Sequence, residues 1–272
     1  TVTGVQTCAL PISMAALPDV ALGAAQLAHA GVVVLADAIV HAGFHLASDL
    51  RPVVAREQDE RVLRHAGALQ GVEYLAAPVS GNAKVIKAGK LSSVCSGPEA
   101  AFKKAEPMIK VFAPKGVSYV GEGELARVCK IAHNVMLGVV IQNLIEITLL
   151  TNKMGVPRHA FLAFLNNGVM GSMFTAYKSP ALVNLDWTTT FTPELLRKDL
   201  DLGLELGREW DVPMASTAAT REALQAHFGT ATLQKDPEAY LQKDFAALME
   251  TIALQAGMKL EPENVKVGDG LA

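Results

Sequence analysis

An α/β layer followed by an all-helical half is the fold class this sequence predicts, and three observations predict it. Short β-branched or apolar runs alternate with helical patterns up to about residue 120. One long apolar segment without proline then extends from Glu124 to about Met154. Beyond it, the periodic segments are helical and no strand of comparable quality interrupts them.

Taken in order, the first residues fit neither element. Thr1 to Ser13 (TVTGVQTCALPIS) have no helical or strand periodicity, and they resemble a peptide that arises when sequencing-adapter DNA is translated in frame. They read as a non-native segment, excluded from fold reasoning as a tag would be. Ala15 to Ser48 is rich in Ala and Val, with a β-branched run at Val32 to Leu35. Arg51 to Ala68 reads as an amphipathic helix, with Val54, Val62 and Leu63 opposite Arg56, Glu57, Asp59 and Glu60. Val72 to Ala76 is a short strand that ends in the turn Ala77-Pro78-Val79-Ser80-Gly81-Asn82. Lys90 to Ser96 reads as a strand, Glu99 to Val111 as a helix interrupted at Pro107, and Gly116 to Val120 as another strand. The helix that follows ends at Gly155, just before Val156-Pro157, which is a helix-stop pattern. At about 1.5 Å per residue it is roughly 45 Å long. Arg158 to Leu165, Pro193 to Trp210 and Ala218 to His227 are further helical patterns.

Composition narrows the function classes. Half of the 272 residues are apolar, enough for a large core. With 24 basic and 27 acidic side chains the net charge is −3, so no broad positive field is available for nucleic acid or an anionic membrane. A small-molecule partner is expected. Cys8, Cys95 and Cys129 lack the close spacings of zinc sites or disulfide frameworks, which predicts a reducing cytoplasm and no metal. Asn134, Asn143 and Glu146 break the longest apolar stretches, so no membrane span is expected.

Three clusters could carry chemistry. Gly121-Glu-Gly-Glu-Leu-Ala126 fits a G-x-G-x-x-A pattern, but Glu122 and Glu124 would face the phosphates of a dinucleotide and no second strand follows. It reads instead as a glycine hinge that starts the long helix. Lys130 and Asn134 stand four residues apart and so project from one helix face among Val128, Ile131, Val135 and Met136. Burial there would bring the lysine toward proton exchange at neutral pH, whereas the bland reading is a snorkelling lysine and a surface asparagine. Cys129 and His133 lie about 100° around the helix and read as packing residues. The Ser80-Gly81 turn at a strand's carboxyl end offers a hydroxyl and free backbone N–H groups to a carboxylate, and taken alone it is just a turn.

In sequence order, Ala-Pro-Val-Ser80-Gly81, Lys87-Ala-Gly-Lys-Leu91, Lys130-x-x-x-Asn134 and Lys198-Asp199-Leu200 resemble the β-hydroxyacid dehydrogenases of the 3-hydroxyisobutyrate dehydrogenase type, from about Val72 to Phe228. The resemblance implies a doubly wound dinucleotide-binding domain followed by a helical domain that opens with a long interdomain helix. On this chain that gives 1–13 as the non-native segment, 14–120 as an incomplete NAD(P)-binding domain and 121–272 as the helical domain. It further implies hydride transfer between NAD or NADP and a small β-hydroxyacid or related aldehyde-acid. Lys130 would be the catalytic proton donor and acceptor. Ser80, Gly81, Asn82 and Asn134 would hold the substrate carboxylate and its neighbours, and Lys198, Leu17 and Pro18 would touch the cofactor. Separately, the long apolar helix Glu124 to Met154 suggests burial against a partner or the other domain, so a homo-oligomer is expected.

Departures from the family pattern matter. Asn82 stands in place of a second glycine and Val85 in place of another, while Asp49 in Ser48-Asp49-Leu50-Arg51-Pro52 would repel a cofactor phosphate. The glycine-rich fingerprint that opens such a domain is missing, so the chain as given is expected to bind dinucleotide poorly. The competing reading is an inactive fragment whose helical domain serves as a dimerisation scaffold.

Overall fold

The computed structural model describes the backbone of residues 32–35 and, with side chains, residues 73–271. The readings placed on Thr1 to Ser13, on Leu17 and Pro18, on Ser48 to Pro52 and on the helix Arg51 to Ala68 lie outside those residues. The chain forms two compact units that divide between Lys130 and Ile131.

In the first unit, β1 (Val32–Leu35) pairs in parallel with β2 (Glu73–Ala76). The next strand, β3 (Val79–Ser80), is antiparallel to β4 (Ser92–Cys95), and β4 is parallel to β5 (Gly116–Tyr119). Reciprocal backbone hydrogen bonds of 2.9 Å between Ala76 and Ser96 link the two ladders. A short helix α1 (Ala83–Lys87) follows β3, and α2 (Glu99–Phe112) joins β4 to β5. Ala101, Phe102, Ala105 and Ile109 of α2 recur on one face and bury against Leu75, Ala77 and Cys95. Pro107 does not interrupt α2, contrary to the sequence reading. It lies on the exposed face, where the carbonyl that loses its N–H partner meets water.

Helix α3 (Leu125–Lys153) begins in the first unit and continues into the second. By length and composition alone it is apolar enough to cross a membrane, despite its polar interruptions, and half of its most apolar window is buried within the protein. The second unit adds α4 (Arg158–Asn167), α5 (Met173–Asn184), α6 (Pro193–Glu209), α7 (Ala215–Ala231), α8 (Pro237–Leu241), a 3₁₀ turn at Phe245–Ala247 and α9 (Leu248–Gln255). Ile141, Ile145, Leu162, Leu182, Leu196, Leu200, Leu224, Phe245 and Leu248 form its core. The strand-to-helix order is therefore α/β followed by all-α.

Helix α5 escapes the periodicity reading because its apolar residues circle the helix and Pro180 sits inside it. A local signal does exist: Ser172 and Thr175 form a reciprocal cap in which the Ser172 hydroxyl accepts from the Thr175 N–H at 3.1 Å.

Candidate active site

Ser80 ends β3, and Gly81 then takes φ of +143°, a conformation that favours glycine. Any Cβ there would meet Leu91 Cδ1 and Val85 Cγ1 at 2.7 Å, so backbone and space both demand glycine. Asn82 follows as the cap of α1: its Oδ1 accepts from the N–H groups of Lys84 at 3.0 Å and Val85 at 3.2 Å. That commits the carbonyl end of the amide and leaves Nδ2 as its donor. Val85, a departure from the family pattern, is buried against this turn.

Lys130 reaches the same strand. Its Nζ donates to the Val79 carbonyl at 2.7 Å, one residue before Ser80. The start of α3 is fixed by Ser96, whose hydroxyl donates to the Gly123 carbonyl at 2.8 Å and accepts from the Ala126 N–H at 3.0 Å. A buried side chain thus occupies one of the N-terminal donors that a pyrophosphate would need. Gly121 and Gly123 both have positive φ, of 111° and 70°. Arg127 adds a hydrogen bond of 2.9 Å to the Tyr74 hydroxyl and a 2.7 Å ion pair with Glu124.

One turn beyond Lys130 on α3, Asn134 is 9% exposed and donates through Nδ2 to Asp199 Oδ2 at 2.8 Å. Asp199 Oδ1 lies 3.1 Å from the Lys198 ammonium, and Asn134 Oδ1 lies 3.0 Å from His133 Nδ1. Because a carboxylate only accepts, the Asn134 amide must present its NH₂ to Asp199, and its oxygen is then left for the imidazole. Spacing alone gave Asp199 no separate role and made His133 a packing residue. A buried carboxylate beside a lysine in an amphipathic helix is the signal that points to Asp199, since such a charge needs donors. Among the described residues no group of three or more His, Cys, Asp or Glu side chains is placed to hold a metal ion.

Two family models match adjoining stretches. The NAD binding domain of 6-phosphogluconate dehydrogenase matches residues 54–121, and the model described as NAD-binding of NADP-dependent 3-hydroxyisobutyrate dehydrogenase matches residues 125–243. Over these stretches the chain is similar to β-hydroxyacid dehydrogenases. It is 30% identical over 159 residues to 2-(hydroxymethyl)glutarate dehydrogenase of Eubacterium barkeri, covering 58% of this chain and 52% of that one. It is 26% identical over 203 residues to 2-hydroxy-3-oxopropionate reductase of Escherichia coli, covering 75% and 66%. It thus spans about half to two thirds of the length of these β-hydroxyacid dehydrogenase relatives. The crystal structure of 3-hydroxyisobutyrate dehydrogenase from Salmonella typhimurium shares the fold, with a TM-score of 0.61 at 19% identity over 80% of this chain and 78% of that one.

Proposed function

We propose that the protein interconverts a small β-hydroxyacid and the corresponding aldehyde-acid with NAD or NADP, and that Lys130 carries the proton. The observation that carries this reading is the 2.7 Å bond from Lys130 Nζ to the Val79 carbonyl, beside Ser80. A backbone carbonyl that accepts from one of the three ammonium donors fixes where the nitrogen sits. In reduction the ammonium gives a proton to the oxygen that becomes the hydroxyl. In oxidation the neutral amine keeps its N–H on Val79 and takes the hydroxyl proton with its lone pair. The nicotinamide, when bound, supplies or accepts the hydride.

Ser80, the Gly81 backbone and Asn82 Nδ2 supply donors for the substrate carboxylate. Asn134, on the same helix face as Lys130, holds the hydroxyl-bearing end. For the cofactor, the described residues offer Lys198, whose side chain is 26% exposed and oriented by Asp199, a fit for an anionic group. Leu17 and Pro18 belong to the same reading by resemblance. The names of the relatives, a hydroxymethylglutarate dehydrogenase and a hydroxyoxopropionate reductase, agree with carboxylate-bearing substrates.

A homo-oligomer is part of the proposal, supported by Phe164, Val169 and Met170, which are 77%, 100% and 75% exposed near the end of α4. So is a reducing, cytoplasmic setting, supported by the free thiols of Cys95 and Cys129.

The test is Lys130→Ala in the full-length gene product, assayed in both directions with 3-hydroxyisobutyrate or 2-hydroxy-3-oxopropionate. Turnover is expected to fall by at least about 100-fold, the usual worth of a positioned proton carrier, with an unchanged circular dichroism spectrum. A folded Lys130→Ala protein of full activity refutes the reading.

A further inference from the structure

The Asn134–Asp199 hydrogen bond demands that two helices run close together, because each of these side chains ends only two carbons from its backbone. Packed helices lie about 8–10 Å apart, and the residues at the contact set the distance. Here α3 and α6 meet through two glycines. Gly138 stands one turn beyond Asn134 on α3, and Gly203 stands one turn beyond Asp199 on α6. At i,i+4 spacing each glycine shares a face with its polar residue.

The two glycines receive reciprocal knobs. A Cβ on Gly138 would lie 2.9 Å from Leu196 Cδ1 and 2.9 Å from Leu200 Cδ2, and a Cβ on Gly203 would overlap Val135 Cγ2. Leu200 directly follows Asp199, and Val135 directly follows Asn134. Each helix therefore seats, in its partner's glycine, the side chain next to its own polar residue. Gly207, also in α6, differs: its Cβ would meet Met214 Cγ at 2.5 Å and Val212 O at 3.1 Å, away from α3. Glycine weakens a helix interior relative to alanine, so retaining two at one crossing needs a reason that the helices themselves do not supply.

We infer that Gly138 and Gly203 are positioning residues for the candidate substrate site. Their missing side chains set the α3–α6 spacing at which Asp199 locks the Asn134 amide in one orientation. The inference rests on the proposed role of Asn134 in holding substrate, and its test separates the two. A methyl group at Gly203 forces Val135, and with it the Asn134 turn, away from α6.

The experiment compares Gly203→Ala, Gly203→Ala with Val135→Ala, and Gly207→Ala in the full chain. Two readouts are the side-chain amide resonance of Asn134, assigned through Asn134→Ser, and KM against kcat for 2-hydroxy-3-oxopropionate. Gly203→Ala is expected to move the Asn134 resonance to its solvent-exposed position and raise KM about tenfold, with a smaller change in kcat. The double variant, which removes the colliding methyl groups, is expected to restore both. Gly207→Ala is expected to lower thermal stability without moving the amide.

A folded Gly203→Ala protein with a parent-like Asn134 resonance overturns the inference, as does a double variant that does not recover. If Gly203→Ala fails to fold, the double variant decides alone: folded with a parent-like amide supports the inference, and unfolded overturns it. A resonance that behaves as expected in a chain with no dehydrogenase activity upholds the inference while sinking the functional reading.

Discussion

The two units hold their polar residues by different means. In the α/β unit the partners are mostly backbone atoms: Lys130 donates to the Val79 carbonyl, Ser96 binds Gly123 and Ala126, Ser93 donates to the carbonyls of Ala77 and Pro78, and the Tyr119 hydroxyl donates to the Gly97 carbonyl. In the helical unit side-chain networks add to such backbone contacts, as in Asn134–Asp199–Lys198 and in Lys178–Asp244–Thr190, while the buried Arg158 donates to the carbonyls of Leu182, Val183 and Glu261. The difference has a physical origin. Strands and turns leave carbonyls and N–H groups exposed at their ends, whereas a helix spends its own internally, so a helical site must recruit side-chain partners. A substitution can delete a side-chain partner but not a carbonyl, so these side-chain networks are the more easily broken contacts.

The sharpest break is expected at Lys178. Its ammonium lies 2.6 Å from Asp244 Oδ1, 3.0 Å from Thr190 Oγ1 and 4.2 Å from the centre of the Phe245 ring, and its side chain is 3% exposed. Lys178→Met leaves Asp244 as a buried, unmatched charge, and urea unfolding should register a loss of about 3–5 kcal/mol. Lys178→Met with Asp244→Leu is expected to recover part of that loss. A change below about 1 kcal/mol in the single variant would erase the contrast between the units.

A smaller effect is expected from acid. His227 is buried against Thr251 and Tyr240, with Nδ1 2.8 Å from the Thr251 hydroxyl, and burial pushes its pKa from 6.5 down to about 4. The unfolded chain takes up this proton near pH 6.5, whereas the folded protein resists it until about pH 4. Stability is therefore lost as the pH falls through that window, by about 3 kcal/mol at ~1.4 kcal/mol per pH unit. His227→Gln should flatten this part of the pH profile of urea unfolding, and an unchanged slope would contradict the assignment.

The smallest effect tests the backbone-held side. Asn82→Ala removes the cap of α1 and should cost about 1 kcal/mol in thermal or urea unfolding. In Asn82→Ala the Lys130–Val79 bond should persist, because no atom of that bond belongs to Asn82.

Elements with a clear period or a long apolar run were legible in the sequence. The α2 face of Phe102, Ala105 and Ile109, the long apolar α3 and the start of α6 at Pro193 all declare themselves in this way. Helix α5 did not, because its burial runs around the helix and Pro180 imitates a stop. The strand β3 was read as part of a turn, since a two-residue strand has no period and exists only through pairing with β4. At the site, Lys130 and Asn134 were legible as a pair because i,i+4 spacing is a local property. The Val79 carbonyl, the Asp199 carboxylate and the glycine crossing were not, because each depends on contact between segments far apart in sequence.

The most direct measurement follows the hydride itself. The full-length protein is incubated with 2-hydroxy-3-oxopropionate and NADH or NADPH deuterated at the nicotinamide C4, and the product is read by mass spectrometry. The account predicts one deuterium on the carbon bearing the new hydroxyl, and none above background with Lys130→Ala. Product formed without cofactor deuterium, or equal incorporation by the Lys130→Ala protein, would contradict it.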